Sequence, residues 1–506
     1  MIAGQHKARK FWRGMKGMFS VVEEAAQGEK QELSSNMREN ERLLKVIFKN
    51  CSDVVIRVLP NPREEEILIV YVDGLVDTKQ LEQTMNQLLM SAENTLASNK
   101  EVSLGNLIRN HLVLFGQTKN ANKVEDLING VLKANIAIIM SGEGTALLVD
   151  ASGFEKRSIE ESKTENVISG PRDSFTETLR TNTSLLRRRI PSSQLKMESF
   201  TVGKLTQTDV VLVYIEGVAP DALVENVRQR LQGVQLKGIL DSSYIEEYIQ
   251  DSPWSPFPQI QKTDRPDTTA ASLMEGRVAI IANCTPCVLI LPITFWTGMQ
   301  SADDHYERFD FVVARKAVRY IMMMVSLIFP ALYVALTAYN PELLPGSLYQ
   351  SIATAREKSP FPTVIEVVIM DFIFEGLQEA GIRMPSQLGP IVSIVGALVV
   401  GEAAVKANII SAPIVIVVAL TGIAAYGIPR YGFSIPLRLL RFFLVVLAGI
   451  YGLYGLSLGL IAILIHLVTL ESFGVRYLMP VAPLNFKRLR DVALRTVRWP
   501  RRSPSE

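Results

Sequence analysis

Two kinds of apolar patterning divide the chain. Between residues 48 and 295, short β-rich runs alternate with helix-period stretches; from Ala317 onward, long apolar runs dominate. The first part repeats itself. ILIVYVDGLVD (Ile67 to Asp77) resembles VVLVYIEGVAP (Val210 to Pro220), with Tyr71, Asp73 and Gly74 matching Tyr214, Glu216 and Gly217. Each pattern predicts a buried strand running into an acid-Gly turn, then a helix, over Thr78 to Met90 and Asp221 to Leu231. A second match pairs IAIIMSGEGTALLVD (Ile136 to Asp150) with VAIIANCTPCVLILP (Val278 to Pro292), each two β-rich runs around four turn-type residues, as in a β-hairpin. Helix candidates precede both, Val124 to Lys133 and Asp267 to Glu275, the latter behind the helix-start residue Pro266. These matches predict two related α/β units, residues 48–155 and 198–295.

The repeat changes how one apolar stretch is read. Val278 to Thr297 carries no charge, and hydropathy alone makes it a transmembrane helix. Its counterpart ends in Asp150 and has Glu143 at the turn, and Pro286 would break a continuous helix, so a hairpin is expected. Between the units, GPRDSFTETLRTNTSLLRRRI places Phe175, Leu179, Leu186 and Ile190 roughly on one helix face. Its Arg187-Arg188-Arg189 run reads as a solvated face, with lipid or partner contact as the alternative.

The first clear span is Ala317 to Tyr339, whose entrance carries Arg308, Arg315, Lys316 and Arg319. Its length makes about 35 Å of helix, enough for a hydrocarbon core of about 30 Å. Thr363 to Ile382, Leu388 to Val405, Ala412 to Ile428 and Leu437 to Leu470 follow, with Ser347 to Lys358 as a short interfacial helix. Phe442 to Leu470 is long, and Gly449, Gly452, Gly455 and Gly459 allow a tight reversal or close packing. Basic residues flank both ends of the region, which predicts cytoplasmic termini and an even number of crossings, six or four.

One span is chemically unusual. In Thr363 to Ile382, Glu366, Asp371, Glu375 and Glu379 interrupt an apolar run; the last three share a helix face that drifts about 40° per step, and Glu366 is turned off it. A mid-bilayer charge costs at least about 3 kcal/mol, so these acids should face water or protein. They line a cation or proton path, or else Glu379 and Glu366 lie near the interfaces and the others are neutral or paired with Arg383, Arg356 or Lys406. Glu402 and Lys406, four apart, read as a helical ion pair beside a broken-helix joint.

Composition agrees with this division. The 506 residues are 48% hydrophobic and 21% charged, with net charge +2 and mean hydropathy +0.19, an average of two unlike parts. Residues 321–486 hold 16 charged residues in 166 positions, as befits a membrane domain. An ordinary soluble globule and a fully disordered chain are both excluded. Three cysteines, Cys51, Cys284 and Cys287, are too few for a disulfide scaffold and fit a reducing compartment. The N-terminal HKARKFWRGMKGMF lacks a secretory apolar core and reads as a basic tail or an anionic-membrane contact. Cys284-Thr-Pro-Cys287 is a lone CxxC, and His6, His111, His305 and His466 are scattered; without a phosphate loop, dinucleotide fingerprint or nucleophile elbow, neither enzyme activity, cofactor nor metal is expected. The basic residues cluster beside the apolar region, which argues against nucleic acid.

Several blocks in order then resemble one family: GPRDSFTETLRTNTSLLRRRI, SPWSPFPQIQKTDRPDTTAASLMEGRVAIIANCTPCVLILPITF, SADDHYERF, EGLQEAGIRMP, IVGALVVGEAAVKANIISAPIVIVVALTGIAAY, IPLRLLRFF and SFGVRYLMP. Together they cover roughly Leu43 to Pro483 and resemble the GerA family of spore germination proteins, A subunit of nutrient germinant receptors. The resemblance implies a multipass protein of the spore inner membrane that acts with a transporter-like B subunit and a lipoprotein C subunit. It also implies a homo-oligomeric ring forming a nutrient-gated ion channel. Arg265, Pro266 and Asp267 fall in the family's RPD block, Glu275, Gly276 and Arg277 in its EGR block, and Glu366, Asp371, Glu375 and Glu379 in its acidic helix. Asn283-Cys284-Thr285-Pro286 replaces a frequent Asp-Gly-Thr-Pro, and Glu402 a frequent Gln. The related stage V sporulation paralogue shares much of the pattern, with DDHYERF favouring a receptor subunit.

The expected fold is therefore an α/β N-terminal soluble region of two related subdomains followed by an all-α multipass transmembrane domain. Its parts are a basic segment (1–42), subdomain 1 (43–160), a helical linker (161–197), subdomain 2 ending in a hairpin (198–312), the transmembrane domain (313–484) and a basic cytoplasmic tail (485–506). A non-conducting scaffold is the alternative function; a secondary transporter would need inverted repeats that the apolar half lacks.

Overall fold

Strand-forming runs fall in the first half of the chain and apolar helices in the second. The structure, a computed structural model, describes residues 31–59, 66–77, 118–153, 170–382 and 389–484, with a few isolated positions besides. The helix expected over Thr78 to Met90, His6, His111, Arg383, the start of the N-terminal segment and the basic tail lie outside these residues or all but a few positions of them. The chain divides into two compact units, one of Met1–Asn166, Pro171–Ile249 and Lys262–Leu291, the other of Val167–Gly170, Gln250–Gln261 and Pro292–Glu506. Residues 292–312 thus group with the helices.

In the first unit, α1 (Met37–Ile47) starts at Asn36, whose side chain accepts from the Arg38 N–H, and buries Met37, Leu44 and Ile47. The 1–42 segment is therefore structured in its last part. Two five-stranded sheets follow. The first, from β1 (Val54–Leu59), β2 (Ile67–Val72), β3 (Thr118–Ala121), β4 (Asn135–Met140) and β5 (Ala146–Asp150), has the order β1-β2-β4-β5-β3, with α2 (Val124–Leu132) between β3 and β4. After the linker helix α3 (Leu179–Arg189), the second is built from β6 (Leu195–Val202), β7 (Thr208–Ile215), β8 (Gln261–Thr263), β9 (Val278–Ala282) and β10 (Val288–Leu291), ordered β6-β7-β9-β10-β8. Its helices are α4 (Asp221–Gln232), α5 (Ser242–Ile249) and α6 (Pro266–Met274).

The two sheets share strand order and register. Ile67 faces Met140 as Val210 faces Ala282, and Ile139 faces Ala146 as Ile281 faces Val288. Val278 to Thr297 thus contains an antiparallel hairpin rather than a spanning helix, because its turn residues carry the chain back before a helix could cross. The central strands are buried on both faces, which explains their unbroken apolar runs. Leu68, Val70 and Val72 pack with α1 and α2, while Ile69 and Tyr71 join Ile136, Ile138 and Met140 on the other face.

The sheets are joined by backbone and charge. Met197 donates to the Asn50 carbonyl at 2.8 Å and Ser52 donates to that of Met197 at 2.9 Å, while Lys196 Nζ caps the Ile47 carbonyl at 2.9 Å. Arg187, read in sequence as part of a solvated face, is instead buried: its guanidinium donates Nε and Nη2 to Asp53 at 2.8 and 2.9 Å and Nη1 to the Ser192 carbonyl. Its face of α3 packs on the sheets, with Leu186 one position away in the core.

The second unit opens with the short α7 (Phe295–Gly298), followed by α8 (Phe309–Ala338), α9 (Gly346–Arg356), α10 (Thr363–Ile382), α11 (Gly389–Lys406), α12 (Ala412–Tyr426) and α13 (Tyr431–Thr469), then the small hairpin of β11 (Glu471–Ser472) and β12 (Val475–Arg476). Among the described residues, α8 and α13 are long and apolar enough to cross a membrane. α8 begins before Ala317, so Lys316 and Arg319 lie inside it and are buried, with Arg319 donating to Asp304 and to the Met299 carbonyl, both at 2.8 Å.

The long helix α13 turns back on itself. Gly452 takes φ 62° and ψ −140°, and a Cβ on Gly459 would meet Leu444, fifteen residues earlier. In one straight helix those residues would stand about 22 Å apart. Two limbs therefore pack side by side, with Gly455 and Gly459 providing the clearance. Tyr339, just past α8, closes the turn: its ring lies over Gly452 and its hydroxyl meets the Gly449 and Ile450 carbonyls at 2.7 and 2.9 Å, groups left without helical partners at the limb's end.

Candidate functional site

The acidic helix α10 presents its carboxylates in three settings. Glu366 is fully buried and accepts from the Ser411 backbone N–H at 2.7 Å, at the N-terminus of α12. Free N–H groups and the positive helix end favour a carboxylate there. The joint between α11 and α12, where Asn408 takes φ 53°, is the interruption expected beside Glu402 and Lys406.

Asp371 and Glu375, four residues apart, meet two arginines three apart on the first limb of α13. Arg441 Nε lies 3.0 Å from Asp371 Oδ2, with each side chain 1% exposed, and Arg441 Nη2 donates to Glu375 Oε1 at 3.1 Å. Arg438 Nε donates to Glu375 Oε1 at 2.8 Å, and its Nη2 is paired with Oε2. Two negative and two positive groups thus balance within an apolar bundle. Asp371 meets Arg441 at hydrogen-bond distance but off the ideal alignment, whereas Glu375 takes aligned hydrogen bonds from both arginines.

Glu379 is exposed, so the drifting stripe runs from buried Asp371 through half-buried Glu375 to the surface. Glu402 and Lys406 form an exposed i, i+4 pair at 2.6 Å, apart from the buried cluster. Arg438 and Arg441 were not foreseen from the sequence as partners of the acids. Their i, i+3 spacing in an otherwise apolar helix was the available signal.

The RPD and EGR residues lie in the first unit. Arg265, fully buried, donates Nε and Nη2 to Asp267 at 3.1 and 2.8 Å and Nη2 to the Pro171 carbonyl at 2.7 Å, while Pro266 opens α6. Gly276 has φ +85°, and a Cβ there would stand 2.8 Å from the Val218 carbonyl oxygen. Glu275 and Arg277 pair at 2.8 Å. In the hairpin turn, Cys284 takes φ 67° where Gly142 takes φ 85° in the first repeat, a conformation that favours glycine. The departure from Asp-Gly-Thr-Pro therefore keeps the turn and adds backbone strain.

A second polar cluster went unread in sequence. Glu198 accepts from the Tyr214 hydroxyl at 2.6 Å, from Asn50 at 3.0 Å and from both Nε and Nη2 of Arg228. Burial by itself would raise the Glu198 pKa, but hydrogen bonds from Arg228 and Tyr214 outweigh it and hold the carboxyl below its ordinary range. Burial, then the bond to Glu198, push the Tyr214 phenol well up. Among the described residues, no group of three or more His, Cys, Asp and Glu could hold a metal.

Residues 42–505 match the family model described as Bacillus/Clostridium GerA spore germination protein. The chain is 41% identical over 480 residues to the uncharacterized membrane protein YfkQ of Bacillus subtilis, covering 95% of this chain and 92% of the relative. It is 38% identical over 469 residues to spore germination protein KA of Bacillus subtilis, with 92% and 86% covered. Among solved structures, it is 32% identical to the N-terminal domain of the A subunit of the Bacillus megaterium spore germinant receptor GerK3, with 53% of this chain and 98% of that chain covered and a TM-score of 0.42.

Proposed function

The chain belongs to the GerA family of spore germination proteins, and from that premise we propose that it is the A subunit of a nutrient germinant receptor, a multipass protein of the spore inner membrane. In this reading it assembles as a homo-oligomer with a transporter-like B subunit and a lipoprotein C subunit, and its helical unit forms a nutrient-gated ion path. Glu366, Asp371, Glu375, Glu379, Glu402 and Lys406 are the pathway candidates, and the RPD and EGR residues brace the unit that transmits the signal.

The observation that carries this reading is the balanced cluster of Asp371, Glu375, Arg438 and Arg441. Inert packing does not need four charges inside an apolar bundle, because hydrophobic replacements of such groups are often neutral or stabilising. Charges retained at that cost mark ion pathways and switches. In the closed state the arginines neutralise the acids; in the open state a shift of α13 against α10 frees the carboxylates to attract cations. Reconstituting the purified full chain in liposomes tests this against the scaffold reading. Cation flux is expected when the lock is released by the Arg438→Gln, Arg441→Gln double variant, and an intact oligomer that conducts nothing in that variant as well overturns the channel in favour of the scaffold.

A further inference from the structure

We propose that Trp254 is an interfacial anchor that seats the loop 250–260 in the headgroup region of the bilayer, beside the end of the last membrane helix. The proposal rests on the reading of the helical unit as membrane-spanning. Trp254 is 97% exposed. The loop holding it is nonetheless rigidly placed. Phe473 donates its N–H to Asp251 at 2.5 Å, Ser255 Oγ lies 2.9 Å from His466 Nε2, the Ser472 hydroxyl donates to the Gln259 carbonyl at 2.7 Å and that of Tyr477 to the Pro258 carbonyl at 2.7 Å. Phe257 stacks on His466 with ring centroids 6.1 Å apart. Trp254 thus stands between two tethered positions, Asp251 and Ser255, with Pro253 and Pro256 restricting the backbone on either side.

Its level in the membrane follows from those tethers. His466 lies within a turn of the end of α13 at Thr469, and Ile461, Leu464, Ile465 and Val468 of the same limb are exposed apolar residues suited to lipid. A side chain next to Ser255 therefore stands where the helix leaves the hydrocarbon. Indole prefers that boundary, its ring apolar and its N–H hydrogen-bonding.

The test is tryptophan fluorescence of the full chain in liposomes of phosphatidylcholine, with and without brominated acyl chains. The difference between the wild type and Trp254→Phe isolates this residue from the other tryptophans. Ile461→Trp in the Trp254→Phe background serves as a control for the membrane helix. The Trp254 signal is expected to be blue-shifted and to fall about twofold with brominated lipid, as for an interfacial indole. If the control is quenched while Trp254 is not, the anchor is overturned, whether iodide reaches Trp254 (water) or fails to (a protein partner). If the control is also unquenched, the membrane reading itself fails.

Discussion

Arg187 and Asp53 show how much one buried pair can decide. The linker helix reaches the first sheet through them, and burial alone would lower the Arg187 pKa, yet charge and hydrogen bonding with Asp53 hold it above its ordinary value. Arg187→Ala leaves Asp53 charged and unpaired, so thermal and denaturant unfolding in detergent should show a loss of about 3–5 kcal/mol. A double replacement by apolar residues of similar size should recover most of it. Glu198 supplies a pH test. Its folded pKa is depressed, so its stabilisation is present above the unfolded value of about 4.3 and is lost as pH falls through the folded value. The stability gap between wild type and Glu198→Gln should therefore be full at neutral pH and close in acid; a gap independent of pH would refute the ionised carboxylate. None of these partners was legible in the sequence. Spacing shows which face of a helix a charge occupies, but Asp53 and Arg187 lie far apart in the chain, and an arginine run looks the same whether solvated or buried.

At the scale of elements, much was legible because patterns recur. The matched apolar runs predicted two related units and identified the hairpin at Val278 that hydropathy alone would have misread, while the shared strand order came only from the structure. The glycines of α13 allowed either a reversal or close packing, and both occur: Gly452 turns the chain while Gly455 and Gly459 admit the returning limb. Tyr339 could not be foreseen as the cap, since its role depends on where α8 ends. Gly452→Ala should be destabilising, because a left-handed φ costs an L-residue about 1–2 kcal/mol before the clash with the Tyr339 ring is added. Gly432→Ala, with open space around its Cβ position, should leave the melting temperature in detergent unchanged or raised. Equal melting temperatures for the two variants would contradict the reversal.

For the whole molecule, charge placement separates the two units more sharply than composition does. In the first unit, buried charges stitch sheets and helices together, as at Arg187, Arg265 and Glu198. In the second, Asp371 and Glu375 of α10 meet Arg438 and Arg441 across the bundle, and the proposed gating shifts α13 against α10 to part them. The acidic stripe itself was legible from its four-residue spacing; its neutralisation was not, because the partners come from a helix more than sixty residues later. The most direct measurement is potassium efflux from liposomes reconstituted with the whole chain, compared with that of the Asp371→Asn, Arg441→Gln double variant. Removing both charges together leaves no unpaired ion, so the variant should assemble to the same size. The account predicts a changed cation flux at unchanged protein level and oligomer size; identical flux in the two would contradict it.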